Sequence, residues 1–296
     1  MSEKNILSSV SSSERYEYPS PIKLDEILGN YFAIPSSIIL NTDINEKRAT
    51  IFSYFSTRRG IGCELSFSVN NIAKWSGKKP DRHSNGVNAK IMQIIEHLND
   101  TGYLTFFDEL DHSSCMDAFF NLSKVSQECD RYRFAIIYLD ELKQILNYKN
   151  LNPKDSFANN DVVLLVFAYL RMKIYRRKNM LFPEEINIDN KNNHKHDIET
   201  RRLRSPDAYD CFYTDISNEL SISARSVAKA VEVLSELGLI YYEALPRVQR
   251  DGKWRTDHTI FCNAYKREGS FLLANGNEYY LTEVENKKKH IGQKKK

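Results

Sequence analysis

The sequence predicts a mainly α protein with small β-hairpins, an α+β fold made from two successive copies of one pattern. Three observations carry the prediction. Two long segments, residues 85–99 and 224–237, place their apolar residues on one face of a 3.6-residue helical period. Each is followed by a glycine, Gly102 or Gly238, and then at once by an apolar strand. Each is preceded by a shorter helix and a turn, and the two copies align at an offset of 136 residues.

In the first copy, a helix over residues 45–57 buries Ala49, Ile51, Phe52 and Phe55. A strand at 65–67 leads into the short helix VNNIAKW (69–75) and the turn GKKPDRHSNG (77–86). The long helix then presents Val87, Ile91, Ile94, Ile95 and Leu98, spaced i, i+4, i+7, i+8, i+11. Thr101-Gly102 supplies a left-handed C-cap, because glycine tolerates positive φ without a Cβ clash. The strand YLTFF (103–107) follows.

The second copy repeats this order. A helix over 161–176 precedes a strand at 211–213, the short helix TDISNEL (214–220) and the turn SIS, in which Ser223 is placed to cap the next helix. That helix carries Val227, Ala230, Val231, Leu234 and Leu237 on one face and closes at Gly238. Strands at 239–243 and 258–265 flank a polar loop. Superposing Leu98 on Leu234 pairs Ile91 with Val227, Ile94 with Ala230, Ile95 with Val231, and Gly102 with Gly238.

Helix, strand, short helix, turn, long helix, glycine and β-hairpin is the order of a winged helix-turn-helix. The expected architecture is therefore a tandem of winged helix-turn-helix domains; two unrelated α+β domains are the alternative. The expected organisation is a flexible leader (1–30), a first winged helix (31–150), a second (151–267) with a long polar loop at 178–207, and a C-terminal extension (268–296). In that extension Asn275-Gly276 suits a type I′ hairpin turn. Residues 162–170 are apolar on every side of their helix, so it is expected either between the two domains, in a dimer interface, or as a fully buried core helix.

Composition bounds the function. The net charge is +3, yet the last ten residues hold six lysines and no acid, so residues 1–286 carry a net of −3. That excludes a uniformly basic nucleic-acid coat protein and leaves local patches to attract an anionic partner. No secretory h-region opens the chain, and the longest apolar run, nine residues, is too short to span a bilayer. The five cysteines, Cys63, Cys115, Cys129, Cys211 and Cys262, are odd in number and form no C-x-x-C pair. A cytoplasmic protein with reduced thiols, without membrane attachment, is expected. No phosphate-binding P-loop, nucleophile elbow or H-E-x-x-H motif is present, so the chain is expected to be non-enzymatic, with no cofactor and no metal. His194-Lys195-His196 has a lysine between its histidines and lies in a hydrophilic stretch, which does not suit a metal-holding strand.

A helix that reads DNA docks one apolar face on its own domain and turns short or basic residues toward base edges and phosphates. In the second copy these are Arg225, Ser226 and Lys229; Arg225 and Lys229 are i, i+4. In the first copy residues 70–90 carry a net of +4. Lys74, Lys78, Lys79 and Arg82 suit phosphates, and Asn85, Asn88 and Lys90 suit base edges. The second wing offers Arg247, Arg250, Lys253 and Arg255. The same residues would also suit a solvated surface. The first wing region, 108–130, holds six acids against Lys124 and should face away from phosphate, toward a protein partner or the basic stretch 171–204.

The duplicated pattern resembles the replication initiators of theta-replicating plasmids. The opening YFAIPSSIIL (31–40) is similar to the F-x-x-I-P start of plasmid initiators and of phage replisome organisers from Gram-positive bacteria. The resemblance spans residues 31–266, without the all-helical helicase-contacting domain of the organisers. It implies sequence-specific binding of double-stranded DNA at origin repeats, with host replication proteins and a second copy of the chain as further partners. A winged-helix transcriptional regulator and a non-catalytic protein-interaction module are the competing readings.

Overall fold

The computed structural model describes residues 31–81, 83–131, 133–149, 159–174, 208–244, 248–250, 253–255 and 258–263. The leader, the 151–158 boundary, the loop at 178–207, the histidine pair and the C-terminal extension lie outside the described residues. The protein is mixed α+β with small sheets.

The chain enters on β1 (Tyr31–Pro35) and the short α1 (Ser36–Ile39). Proline ends β1 because it has no N–H to give to a ladder. The helix α2 (Arg48–Arg58), strand β2 (Glu64–Phe67), short helix α3 (Val69–Trp75) and long helix α4 (Val87–Asp100) follow where the patterning put them. Two strands, β3 (Leu104–Thr105) and β4 (Met116–Phe120), complete an antiparallel sheet of order β2-β4-β3. Its inner positions, Leu65, Phe67, Leu104, Met116, Ala118 and Phe120, are buried under Phe52 and Phe55 of α2. The predicted strand 103–107 is shorter because the Phe106 N–H donates to the Asn99 side chain (3.3 Å) instead of the ladder.

The acidic segment 108–130 is not one wing. Its second half forms α5 (Leu122–Arg131), where Val125 and Cys129, four residues apart, lie on one buried face. Burial pushes the Cys129 thiol up to about 12. Then β5 (Phe134–Tyr138) pairs antiparallel with β1, Tyr31 opposite Tyr138 and Pro35 opposite Phe134. It runs into α6 (Leu139–Leu146), whose Glu141 carboxylate accepts from the Tyr138 N–H at 3.0 Å. This β1–β5 layer with its helices is not part of the pattern that repeats.

The helix α7 (Asn160–Lys173) is buried from Asp161 to Met172. Charges sit at its ends, where they complement the helix dipole. At the N-terminus the Lys47 Nζ reaches the Asp161 carboxylate at 2.5 Å. At the C-terminus Arg171 pairs with Glu141 (2.6 Å) and Lys173 with Glu219 (2.7 Å). The chain resumes with β6 (Ala208–Phe212), α8 (Tyr213–Leu220), α9 (Ala224–Glu236), β7 (Ile240–Ala244), β8 (Val248–Arg250), β9 (Lys253–Arg255) and β10 (His258–Asn263). The last sheet has order β6-β10-β7, and β8 pairs antiparallel with β9, Arg250 opposite Lys253.

Compactness groups the described parts of 31–173 and 211–240 in one unit and 174, 208–210 and 241–263 in another. Within the first unit α7 packs against α1, α2, α6 and β5 and also against α9. The apolar helix is therefore covered from within the chain, by elements of both sequence copies. A charge placed on it has no solvent to reach. Val163→Asp is expected to cost more than about 4 kcal/mol, or to prevent folding, in urea or thermal denaturation. A substitution at exposed Lys143 on α6 should move stability by less than about 0.5 kcal/mol.

Candidate nucleic-acid interface

The two long helices close in the same way, bond for bond. After α4, Thr101 N–H donates to the His97 carbonyl (3.0 Å), Gly102 to Asn99 (3.0 Å) and Tyr103 to Leu98 (2.9 Å). After α9, Leu237 donates to Val233 (2.9 Å), Gly238 to Ser235 (2.8 Å) and Leu239 to Leu234 (2.9 Å). The two glycines have φ of +76° and +63°, a left-handed conformation that a side chain would strain. The aligned residues Ile91, Ile94, Ile95, Leu98, Val227, Ala230, Val231 and Leu234 are all fully buried. Both sheets put the last strand between the first and second.

The turns differ. The second is three residues: Ser221 at φ +55°, Ile222, and Ser223, whose Oγ accepts from the Ser226 N–H at 3.0 Å. In the first, the N-cap of α4 is Gly86, which has no side chain to cap with. Asp81 does the work from five residues earlier. Its carboxylate accepts from the N–H groups of His83 (2.7 Å) and Val87 (3.3 Å). These backbone donors, the His83 bond first, hold its carboxyl below the usual range. A Cβ on Gly86 would lie 2.2 Å from the Asp81 carboxylate, so the close approach needs glycine.

Asn88, expected near a base edge, is fully buried. Its Nδ2 donates to Asn70 Oδ1 at 2.8 Å and lies 3.3 Å from His112 Nδ1, while its Oδ1 accepts from the Asp81 N–H at 3.3 Å. The Asn70 N–H donates to the His112 carbonyl at 3.0 Å. Asn88 thus ties α3, the turn and the loop before β4 together and is not at the surface. Lys78 is half-buried, with its ammonium turned toward the start of α7, 3.1 Å from Asn159 Oδ1 and 3.8 Å from Asp161 Oδ2.

The remaining candidates divide as follows. Lys74, Lys79, Asn85 and Lys90 are exposed along α3, the turn and the first turn of α4; Lys90 is also 3.5 Å from Glu46 at the surface. Arg225 is exposed on the first turn of α9, with Ser226 and Lys229 half-buried beside it. Arg82 and Arg247 lie outside the described residues. Arg250, Lys253 and Arg255 fall on the β8–β9 hairpin, whose register is described without their side chains.

The outward face of the first sheet has another character. Glu64, Ser66, Thr105, Asp117 and Phe119 alternate with the buried positions, and Phe107, two residues past the end of β3, borders the same face. Phe107 is 94% exposed and Phe119 45%. Ser66 donates to the Asp117 carboxylate. Asp111 accepts from Ser113 and Ser114, which hold its carboxyl well below the usual range.

Residue patterning does not show the groups that hold the turns and long helices in place: Asp81, Asn70, His112, Lys47, Arg48 and Asp161. Asp81 was visible as the one acid in a basic turn that also carries glycine. The partners of the others are distant in sequence. No protein-family model matches the chain, and no characterised protein matches it either. Among the described residues no group of three or more His, Cys, Asp or Glu could hold a metal, and no helix is long and apolar enough to cross a membrane.

Asp81 accepts from these backbone N–H groups more strongly as a carboxylate than as a neutral acid. Its folded pKa is depressed, so this contribution is present above the ordinary carboxylate range, about 4, and is lost as pH falls below it. Hydrogen exchange at the His83 and Val87 amides should therefore stay slow from pH 5 to about pH 4 and accelerate only as pH falls below that, beyond the intrinsic rate change. Gly86→Ala should give fast exchange there already at pH 5, with the core of α4 still protected.

Proposed function

We propose that the protein is a sequence-specific double-stranded DNA-binding protein that reads DNA with two winged helix-turn-helix modules. The observation that carries this is the double occurrence of one device. Each copy has a short helix, a turn and a long helix closed by the same three hydrogen bonds, with a basic residue exposed on its first turn, Lys90 in α4 and Arg225 in α9. In each, a three-stranded sheet has the same strand order. One face of each long helix is fully committed to its own core, which leaves the opposite face to meet a groove.

In this reading Arg225 is the base-reading side chain of the second module, with Ser226 and Lys229 on phosphate. Asn85 and Lys90 take the corresponding role in the first, and Lys74, Lys79 and Arg82 hold its phosphates. Arg247, Arg250, Lys253 and Arg255 form the basic second wing. The loop at 106–115, carrying Asp108, Glu109 and Asp111, is kept from phosphate by its charge. The replication role follows from the resemblance of residues 31–40 and of the duplication to theta-type plasmid initiators: the sites would be repeats in an origin of a plasmid or mobile element. A transcriptional regulator would use the same surface, and tandem direct repeats beside an AT-rich stretch near the gene distinguish the initiator.

A protein-interaction role has its own observation, the exposed Phe107 and Phe119 set among acids. It is compatible with DNA binding because those residues lie on the sheet's outer face, away from the long helix.

Selection from a random duplex pool followed by footprinting tests the proposal. An enriched sequence protected over about two helical turns supports both modules reading DNA. No enrichment at moderate salt overturns it. On the selected site Arg225→Ala should cost about 1–3 kcal/mol and relax preference at one base position, whereas Lys79→Ala should weaken all sequences alike and lower the salt slope by about 1.

A further inference from the structure

Two adjacent residues at the start of α2 link it to the two copies: Lys47 binds Asp161 at the start of α7, which Lys78 of the first turn also approaches, and Arg48 binds the end of α8, just before the second turn. Lys47 is 6% exposed, and its Nζ binds the Asp161 carboxylate. The same carboxylate oxygen is approached at 3.8 Å by Lys78, which stands in the first turn with its N–H on the Ala73 carbonyl (2.9 Å). Arg48 is 1% exposed. Its Nε donates to the Ile39 carbonyl (3.0 Å), Nη1 to Ile44 (3.2 Å) and Asn45 (3.3 Å), and Nη2 to Leu220 (3.1 Å). Leu220 is the last residue of α8, and Ser221 opens the second turn.

A planar guanidinium held on four carbonyls has no rotational freedom left. The buried Lys47–Asp161 pair cannot separate without leaving a charge unpaired in the interior. The apolar packing runs the same way, since α7 touches both α2 and α9, and α2 touches α4. Both turns and both long helices belong to one compact unit.

We infer that Lys47, Arg48 and Asp161 are specificity-determining positioning residues that fix the separation of the two DNA-reading helices, so that the ligand is one duplex with two half-sites at a single spacing. The inference rests on the DNA-binding reading above. Two winged helices on a flexible linker would accept several spacings. A rigid pair does not, because each added base pair turns the second half-site by roughly 35° about the duplex axis.

The first experiment takes the selected site and changes the spacer between half-sites by one to five base pairs. Wild-type affinity should fall at least about tenfold on a change of two base pairs. Arg48→Lys and Asp161→Asn should bind the best spacing less tightly but lose under threefold across the series. A wild type that binds all spacings equally overturns the inference while leaving DNA binding intact.

The second experiment needs no DNA. Spin labels on unnatural amino acids at exposed Ser84 and Glu232 report the distance between the two modules. A single narrow distance distribution in wild type, broadened in Arg48→Lys, supports the inference. A broad wild-type distribution overturns it whatever the DNA result; failure to select any DNA with a narrow distribution overturns the DNA-binding reading and the duplex ligand with it, and leaves only the fixed separation of the two helices.

Discussion

Helix α7 has no face that water could solvate, and a large part of the fold is arranged to cover it. Twelve consecutive residues, Asp161 to Met172, are buried. Apolar residues need only contact, and α2, α6, β5 and α9 supply it. The charged ends need partners. Asp161, in the first turn, meets Lys47; Arg171, near the last, meets Glu141, which also caps α6. Buried pairs of this kind add little net stability, because desolvation offsets the attraction. Their effect is on register: α7 fits at one rotation and one height, and the elements that supply the partners are fixed with it.

Around that helix the two copies keep one core and present different surfaces. Helix closure is the same because it depends on backbone bonds and a glycine. The start of the long helix differs because the turn lengths differ. A three-residue turn brings Ser223 to the helix end, where its own hydroxyl caps it. The longer first turn delivers glycine there, and a carboxylate from five residues back takes the donors. This ties the cap to the shape of the turn, with Asn88, Asn70 and His112 completing the support. An asparagine that would suit adenine by type is spent on holding that support.

The elements with a strong period were legible in sequence. The short helix Val69–Trp75 and the long helices are where the spacing of apolar residues put them, and Ser223, Gly102 and Gly238 do what their types suggest. The layer of β1, β5, α5 and α6 was not legible. Its strands are five residues each and pair across about a hundred positions, and its helix α5 lies in a segment whose acids masked two buried residues. The end of the first wing is obscured for the same reason: the acids of 108–130 outweigh the short apolar periods of β4 and α5.

By itself the sequence determined the repeat, the buried faces of the long helices and their glycine stops, because these follow from local periods and backbone sterics. It also determined that α7 must be covered on all sides. Which elements cover it was decided only by the tertiary structure, as were the burial of Asn88, the withdrawal of Lys78 to Asp161, and the reach of Arg48 to Leu220. Each of those joins residues far apart in the chain. Their side chains have many acceptable partners when read alone, and only the packed core leaves each of them one.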